Sequence, residues 1–159
     1  MARMTHITRD SNAKAILGAG IRTSARGDGL AGVFAMPILP NYFVSHQWLR
    51  ELKRHQPVPL VAIDFVVPDD EPVMAGHYSA TLTATTAAQA AGVILAAEDP
   101  RGFEIVIPRK IAANEIKRTR PVNNVVGWRY WPQAHGRPPC TRPYCQAGTY
   151  GAAQLRSRD

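Results

Sequence analysis

The chain has 159 residues and a formal net charge of +7, a length typical of one domain with a single hydrophobic core. It contains no apolar run near the roughly 18 residues that a membrane helix needs, and no apolar signal core follows Arg3. These properties predict a soluble, cytoplasmic protein without a membrane partner, and they leave its oligomeric state open.

The N-terminal segment predicts a strand followed by a short helix. Residues 5–8 predict the strand, and the amphipathic run after it predicts a helix that stops at Gly18 and Gly20. The polar stretch that follows cannot supply the helix that a phosphate-binding glycine turn requires, and a third glycine is missing. A dinucleotide-binding glycine loop is therefore excluded.

The middle of the chain predicts strand, helix and strand. GVFAM at 32–36 predicts a buried strand, and residues 59–68 predict the strongest strand, because they are β-branched, apolar and bracketed by prolines. We expect that strand to be central. Between the two, residues 45–55 predict a helix capped by Ser45. Its buried face is expected to carry Trp48, Leu49 and Leu52.

The remainder predicts mostly strands. Residues 74–78 predict an extended piece, 85–100 an alanine-rich helix, 103–108 a strand, and 115–131 one or two more strands. This order lacks the regular alternation of a doubly wound fold, so the sequence predicts the α+β class.

The first strand and helix carry the pattern H-x-T followed by N-x-x-x-I-L-x-x-G-I. The pattern resembles the opening motif of the ADP-ribosyltransferase superfamily and is closest to the DarT-like DNA-modifying toxins. In that superfamily the histidine hydrogen-bonds the adenosine-side ribose of NAD⁺, and the strand backbone holds the nicotinamide amide. The resemblance implies that His6 and Thr8 bind NAD⁺, with Asn12 where the DarT-like pattern also has asparagine. Taken singly, His6 is typical of a satisfied strand histidine and Asn12 of a capping residue.

A second segment, GFEIVIPRKIAANEI, resembles the closing motif of the same superfamily, in which a strand carries one catalytic glutamate. The resemblance implies that Glu104 is catalytic and that the fold is compact, with two small β-sheets around an NAD-binding cleft and flanking helices. Glu104 shares its strand face with Val106, so that face is not plainly solvated. The alternative is an exposed strand glutamate with no catalytic role.

The interval between these motifs matches the family pattern more loosely. If Tyr42 and Phe43 correspond to the tyrosine-phenylalanine pair of the DarT-like pattern, they line the nicotinamide pocket, and His46 stands near an arginine of that pattern. If residues 33–37 are the match instead, no charged residue stands there. Large aromatic residues such as Trp48 are also typical of a core.

The charge is strongly asymmetric along the chain. Residues 1–108 contain 9 Lys and Arg against 10 Asp and Glu, whereas residues 109–159 contain 10 against 2. Such a bias favours a polyanionic partner, although a basic surface that binds a small phosphate-bearing ligand gives the same count. We therefore predict a catalytic domain at 1–132 and a basic C-terminal tail at 133–159, with nucleic acid as the acceptor.

The tail also contains two cysteines, which in a cytoplasmic protein favour thiols or metal ligands over a disulfide. His135, Cys140 and Cys145 are weak candidates for zinc ligands, because zinc requires four ligands at closer spacing. The alternative is that the two cysteines are buried thiols that fix a loop.

These patterns predict an NAD⁺-dependent ADP-ribosyltransferase with DNA or RNA as its acceptor. An RNA 2′-phosphotransferase-like enzyme is an alternative of related fold, but it would depend on several arginines where the first and middle motifs here have histidines. A non-catalytic nucleic-acid-binding or zinc-binding module would explain the charge and the cysteines, but not H-x-T together with Glu104.

Overall fold

A computed structural model describes residues 1–27, 29–55 and 58–123. The tail predicted at 133–159 lies outside these residues, as do His135, Cys140, Cys145 and the end of the strand region predicted at 115–131. Within the described residues the strands are β1 (Ala2–Arg9), β2 (Ser24–Ala25), β3 (Ala31–Pro37), β4 (Leu60–Val67), β5 (Pro72–His77), β6 (Thr83–Thr86), β7 (Phe103–Ile107) and β8 (Ile116–Pro121). The helices are α1 (Ala13–Ala19), α2 (Tyr42–Ser45), α3 (Leu49–His55) and α4 (Ala87–Ala96), with short 3₁₀ turns at Asp10–Asn12 and Ala113–Glu115.

The strands pair antiparallel in the order β6-β5-β7-β3-β1-β4-β8, and β2 forms a hairpin with β3. This arrangement confirms the α+β class. The two small sheets that the family resemblance implies are not separate, because the strands form one connected sheet. Their junction is narrow, because β1 pairs with β3 through Met4 and Thr5, whereas all eight residues of β1 pair with β4.

The main core lies on one face of this sheet, beneath α1 and α4. Ile63 and Phe65 of β4 pack there with Ile94 of α4, and each of the three is at most 1% exposed. Burying side chains of this size stabilises the fold by about 1.5–3 kcal/mol each. Helix α4 begins with a capping box between Thr86 and Gln89, which fixes its first turn against β6.

The strand predicted at 59–68 is confirmed as β4, which is nearly all buried. Its predicted central position is wrong, because β4 is next to last in the strand order of the described residues. Gly20 ends α1 with a positive φ of 84°, as expected of a glycine helix stop.

The helix predicted at 45–55 is wrong in its start. Asn41 caps α2 by accepting hydrogen bonds from two backbone amides, while Ser45 lies inside that helix and its Oγ accepts from the Leu39 amide at 2.8 Å. Within α3, Leu49 is fully buried as predicted, whereas Leu52 is 37% exposed.

Candidate functional site

Three neighbouring strands bring the two resembling motifs close together. His6 lies on β1, Glu104 lies on β7, and β3 stands between these strands and pairs with both. Phe34 of β3 links the two motif strands, because its carbonyl accepts from His6 and it pairs with Val106 on β7. Residues far apart in sequence therefore meet across one intervening strand.

The opening motif is organised by hydrogen bonds. His6 Nδ1 lies 2.8 Å from the carbonyl oxygen of Phe34, which can only accept, so Nδ1 carries the proton. Burial lowers the pKa of His6 and outweighs the opposing effect of that hydrogen bond, which keeps the ring neutral at pH 7. Nε2 is then an acceptor, suited to a sugar hydroxyl. Asn12 donates from Nδ2 to Thr8 Oγ1 at 3.2 Å, and this hydrogen bond links two residues of the opening motif.

The strands β1 and β3 diverge at this point. Their pairing ends at Thr5, and the next residue, His6, contacts β3 through its side chain. Strand alternation puts Thr5 on the face that carries Glu104, and it puts His6 and Thr8 on the opposite face. A ligand that touches both His6 and Glu104 would therefore have to reach across the sheet beyond the end of the β1–β3 pairing.

Glu104 is a buried carboxylate, which agrees with its sharing a strand face with the apolar residue Val106. Its side chain is 9% exposed, and Oε1 accepts a hydrogen bond from Arg26 Nη1 at 2.5 Å. Arg26 lies in the β2–β3 hairpin turn, where its amide donates to the Leu30 carbonyl, and its guanidinium carbon lies 5.5 Å from the centre of the Phe34 ring. The ion pair and the cation–π contact together hold the guanidinium over β3.

The middle segment packs beside the start of β7. Gln47 bonds both the Pro100 carbonyl and the Gly102 amide, and Trp48 Nε1 donates to the Phe103 carbonyl at 2.9 Å. Trp48 is thus half-buried and fixed against the strand that carries Glu104.

Tyr42 and Phe43 lie on α2 at the surface, 37% and 44% exposed. The Tyr42 ring stacks on His46 with centroids 3.9 Å apart, so one of its faces is covered. Phe43 has the more accessible ring of the pair. Residues 33–37, the other candidate for the middle motif, form β3 itself.

His46 belongs to a buried polar cluster. Arg120 Nη2 lies 2.7 Å from His46 Nε2, and arginine can only donate, so Nε2 accepts and Nδ1 donates to the Tyr42 carbonyl. Burial lowers the pKa of His46, and the charge of Arg120 lowers it further against the opposing effects of that carbonyl and of Asp64. His46 is therefore a neutral ring of defined tautomer.

Asp64 anchors this cluster from β4. Its carboxylate is 4% exposed and accepts from Arg118 Nε at 2.9 Å and from Arg120 Nε and Nη2 at 2.8 and 3.0 Å. Burial would raise the pKa of Asp64, but hydrogen bonds from Arg120, Arg118 and Thr5 outweigh it and hold the pKa below its ordinary value. The carboxylate thus remains charged inside the sheet.

Sequence reasoning missed Arg26, Asp64 and Arg120. For Asp64 a signal existed, because one acidic residue inside an apolar run predicts a buried counter-charge, and Arg118 and Arg120 alternate on one face of a later strand. For Arg26 no local pattern exists, since its partner is 78 residues away.

Within the described residues, no helix has the length and apolar character required to span a bilayer. No group of three His, Cys, Asp or Glu side chains in that part of the chain is arranged to hold a metal ion. Comparison of the chain with protein-family models, curated proteins and solved structures finds no match. The chemistry of the site is therefore inferred from its own residues.

Proposed function

We propose that the protein is an NAD⁺-dependent ADP-ribosyltransferase whose acceptor is nucleic acid. The observation that carries the proposal is the buried carboxylate of Glu104, one strand away from a neutral histidine at the point where β1 and β3 diverge. Both residues fall in motifs that resemble the same superfamily. A ligand that reaches across the sheet beyond the end of the β1–β3 pairing would contact both.

The proposed reaction breaks the bond between C1′ of the nicotinamide ribose and the nicotinamide nitrogen. Nicotinamide leaves with the electron pair, positive charge develops on C1′ and the ring oxygen, and an acceptor nucleophile bonds to C1′ and loses its proton. A carboxylate that holds the ribose 2′-hydroxyl stabilises this oxocarbenium-like state electrostatically. In this proposal Glu104 supplies that charge, His6, Thr8 and Asn12 hold the cofactor, and Phe43 or Tyr42 stacks on nicotinamide.

The test compares two glutamates that each pair with an arginine. Glu104→Gln should retain NAD⁺ binding but lose NAD⁺ hydrolysis and transfer by roughly 100-fold or more, since it keeps the shape and removes the charge. Glu71→Gln is the matched control, because Glu71 is 11% exposed, is also paired with an arginine, and bonds Arg109 beyond the other end of β7. If both variants turned over NAD⁺ like the parent, the catalytic role of Glu104 would be wrong.

Nucleic acid as acceptor rests on charge. Lys117 and Arg118 are exposed on the edge strand β8, and the chain after it adds further arginines. Incubating DNA, RNA and protein pools with labelled NAD⁺ and following the label by mass spectrometry would identify the acceptor. Label confined to protein would overturn the nucleic-acid assignment while leaving the transferase chemistry intact.

One observation favours the related RNA 2′-phosphotransferase activity as a second candidate. That class was disfavoured because the motifs lacked arginines, yet Arg26 pairs with Glu104 and Arg120 pairs with His46. Supplying RNA that carries a 2′-phosphate separates the two functions. Loss of the phosphate from the RNA supports the phosphotransferase, whereas gain of ADP-ribose by the RNA supports the transferase.

A further inference from the structure

Arg26 covers the carboxylate on which the proposed chemistry depends. Its Nη1 lies 2.5 Å from Glu104 Oε1, so one of the two carboxylate oxygens already accepts a hydrogen bond from a charged donor. A carboxylate that promotes glycosidic cleavage must give up or share this partner when substrate binds. The ion pair is therefore a contact that ligand binding has to change.

The pair is asymmetric in a way that suits an exchange. The Glu104 side chain is 9% exposed, while that of Arg26 is 28% exposed, so the cation forms the solvent side of the pair. Arg26 belongs to the turn that joins β2 and β3, where it can reorient without breaking the pairing of β3 with β7. The centre of the Phe34 ring lies 5.5 Å from the guanidinium carbon, and this cation–π contact does not require Glu104.

We infer that Arg26 is the diphosphate-binding residue of the site and that it exchanges Glu104 for the diphosphate of NAD⁺. The inference rests on the proposed function. In the unliganded protein Arg26 neutralises the buried glutamate. When NAD⁺ binds, its guanidinium turns to the phosphate oxygens and frees Oε1 for the ribose 2′-hydroxyl.

The connectivity of NAD⁺ supports this assignment. Its diphosphate is bonded to C5′ of the nicotinamide ribose, the same sugar whose 2′-hydroxyl Glu104 would hold. A guanidinium within hydrogen-bond distance of Glu104 therefore stands one sugar ring from the diphosphate. Guanidinium binds phosphate oxygens through two parallel N–H donors, which makes phosphate a strong competitor for a carboxylate partner.

The test measures ligand affinity by calorimetry with the full-length chain. NAD⁺ and ADP-ribose contain the diphosphate, whereas nicotinamide riboside lacks it. Arg26→Ala should weaken binding of the first two by roughly 10- to 100-fold, and Arg26→Lys should weaken it less. Nicotinamide riboside should bind Arg26→Ala at least as tightly as the parent, because Glu104 is no longer covered. Arg22→Ala is the matched control, since Arg22 is an exposed arginine just before the same hairpin.

The outcomes separate this inference from the proposed function. Equal weakening of nicotinamide riboside and ADP-ribose in Arg26→Ala, or equal effects of Arg22→Ala and Arg26→Ala, would overturn the role of Arg26 alone. Failure of the parent to bind any of the three ligands would overturn the proposed function, and this inference with it. If Arg26→Ala does not fold, the double variant with Glu104→Gln removes the uncompensated carboxylate, and against Glu104→Gln alone it should lose affinity for ADP-ribose but not for nicotinamide riboside.

Discussion

Replacing Asp64 by asparagine removes one charge from the buried cluster of β4 and β8 while keeping the side chain's shape. Three N–H donors from Arg118 and Arg120 lie 2.8–3.0 Å from its two oxygens, and the carboxylate is 4% exposed. In Asp64→Asn one oxygen becomes an amide that presents N–H groups to a guanidinium. The variant therefore loses charge-assisted hydrogen bonds and gains an unfavourable contact.

Removing one partner of a buried ion pair costs about 3–5 kcal/mol. The lower end of this range is expected for Asp64→Asn. Arg118 is 58% exposed and can be rehydrated when the carboxylate is lost, so only Arg120, which is 19% exposed, is left without an anionic partner and without access to water. For a domain of this size, about 3 kcal/mol corresponds to a fall in Tm of roughly 6–12 °C. Asp99→Asn is the control, since Asp99 and Arg101 are 55% and 41% exposed and such a surface pair contributes about 0–1 kcal/mol.

Urea denaturation of both variants at neutral pH measures these differences directly. The pKa of folded Asp64 is lowered, so its stabilisation is fully present above the ordinary value of 3.8 and is lost as pH falls through the folded value. The difference between parent and Asp64→Asn should therefore be constant at neutral pH and shrink below pH 3.8. An Asp64→Asn variant no less stable than Asp99→Asn would refute the reasoning.

Three further outcomes are expected. His6→Ala should weaken NAD⁺ binding by about 1–3 kcal/mol through the lost hydrogen bond, and an unchanged dissociation constant would exclude that role. Gly20→Ala should destabilise the fold, since its φ is +84° and a Cβ would lie 2.1 Å from a backbone carbonyl oxygen. Gly18→Ala is the control within helix α1, because a Cβ there would meet open space, and thermal denaturation should show that it stabilises the fold by about 0.5–1 kcal/mol. Truncation after Pro132 should preserve slow NAD⁺ hydrolysis but weaken nucleic-acid binding and flatten its log-log salt dependence of about −0.7 to −0.9 per phosphate contact. Loss of both activities together would indicate a structural tail, and a chelator effect that Cys140→Ser reproduces would indicate a zinc-bound one.

The sequence predicted those parts of the fold that depend on local patterns. The apolar β-branched run of β4, the alternation of β7 around Glu104 and the glycine stop at Gly20 each follow from neighbouring residues, and the structure has all three. The predicted start of the helix after β3 is wrong. Asn41 and Ser45 are both residue types that cap helices, and in the structure Asn41 caps α2 while Ser45 is the last residue of that helix.

Parts of the site that depend on long-range pairing could not be predicted. Arg26 meets Glu104 only because β2 folds onto β3 and β3 pairs with β7, and no local pattern encodes that register. Arg120 likewise reaches His46 only because β8 pairs with β4. The positions of these two guanidinium groups therefore depend on strand pairing, and the sequence motifs do not predict them.

The two buried carboxylates on this face of the sheet are held in different ways, and the difference assigns them different roles. Asp64 receives donors from two arginines on β8, whose backbone is held beside Asp64 by its pairing with β4. Glu104 is paired with an arginine on a turn, which can leave while the sheet stays intact. Asp64→Asn should therefore lower stability without changing the relative affinities for ADP-ribose and nicotinamide riboside, whereas Arg26→Ala should change those relative affinities. The reverse pattern would make Asp64 the ligand-linked residue and Glu104 the structural one.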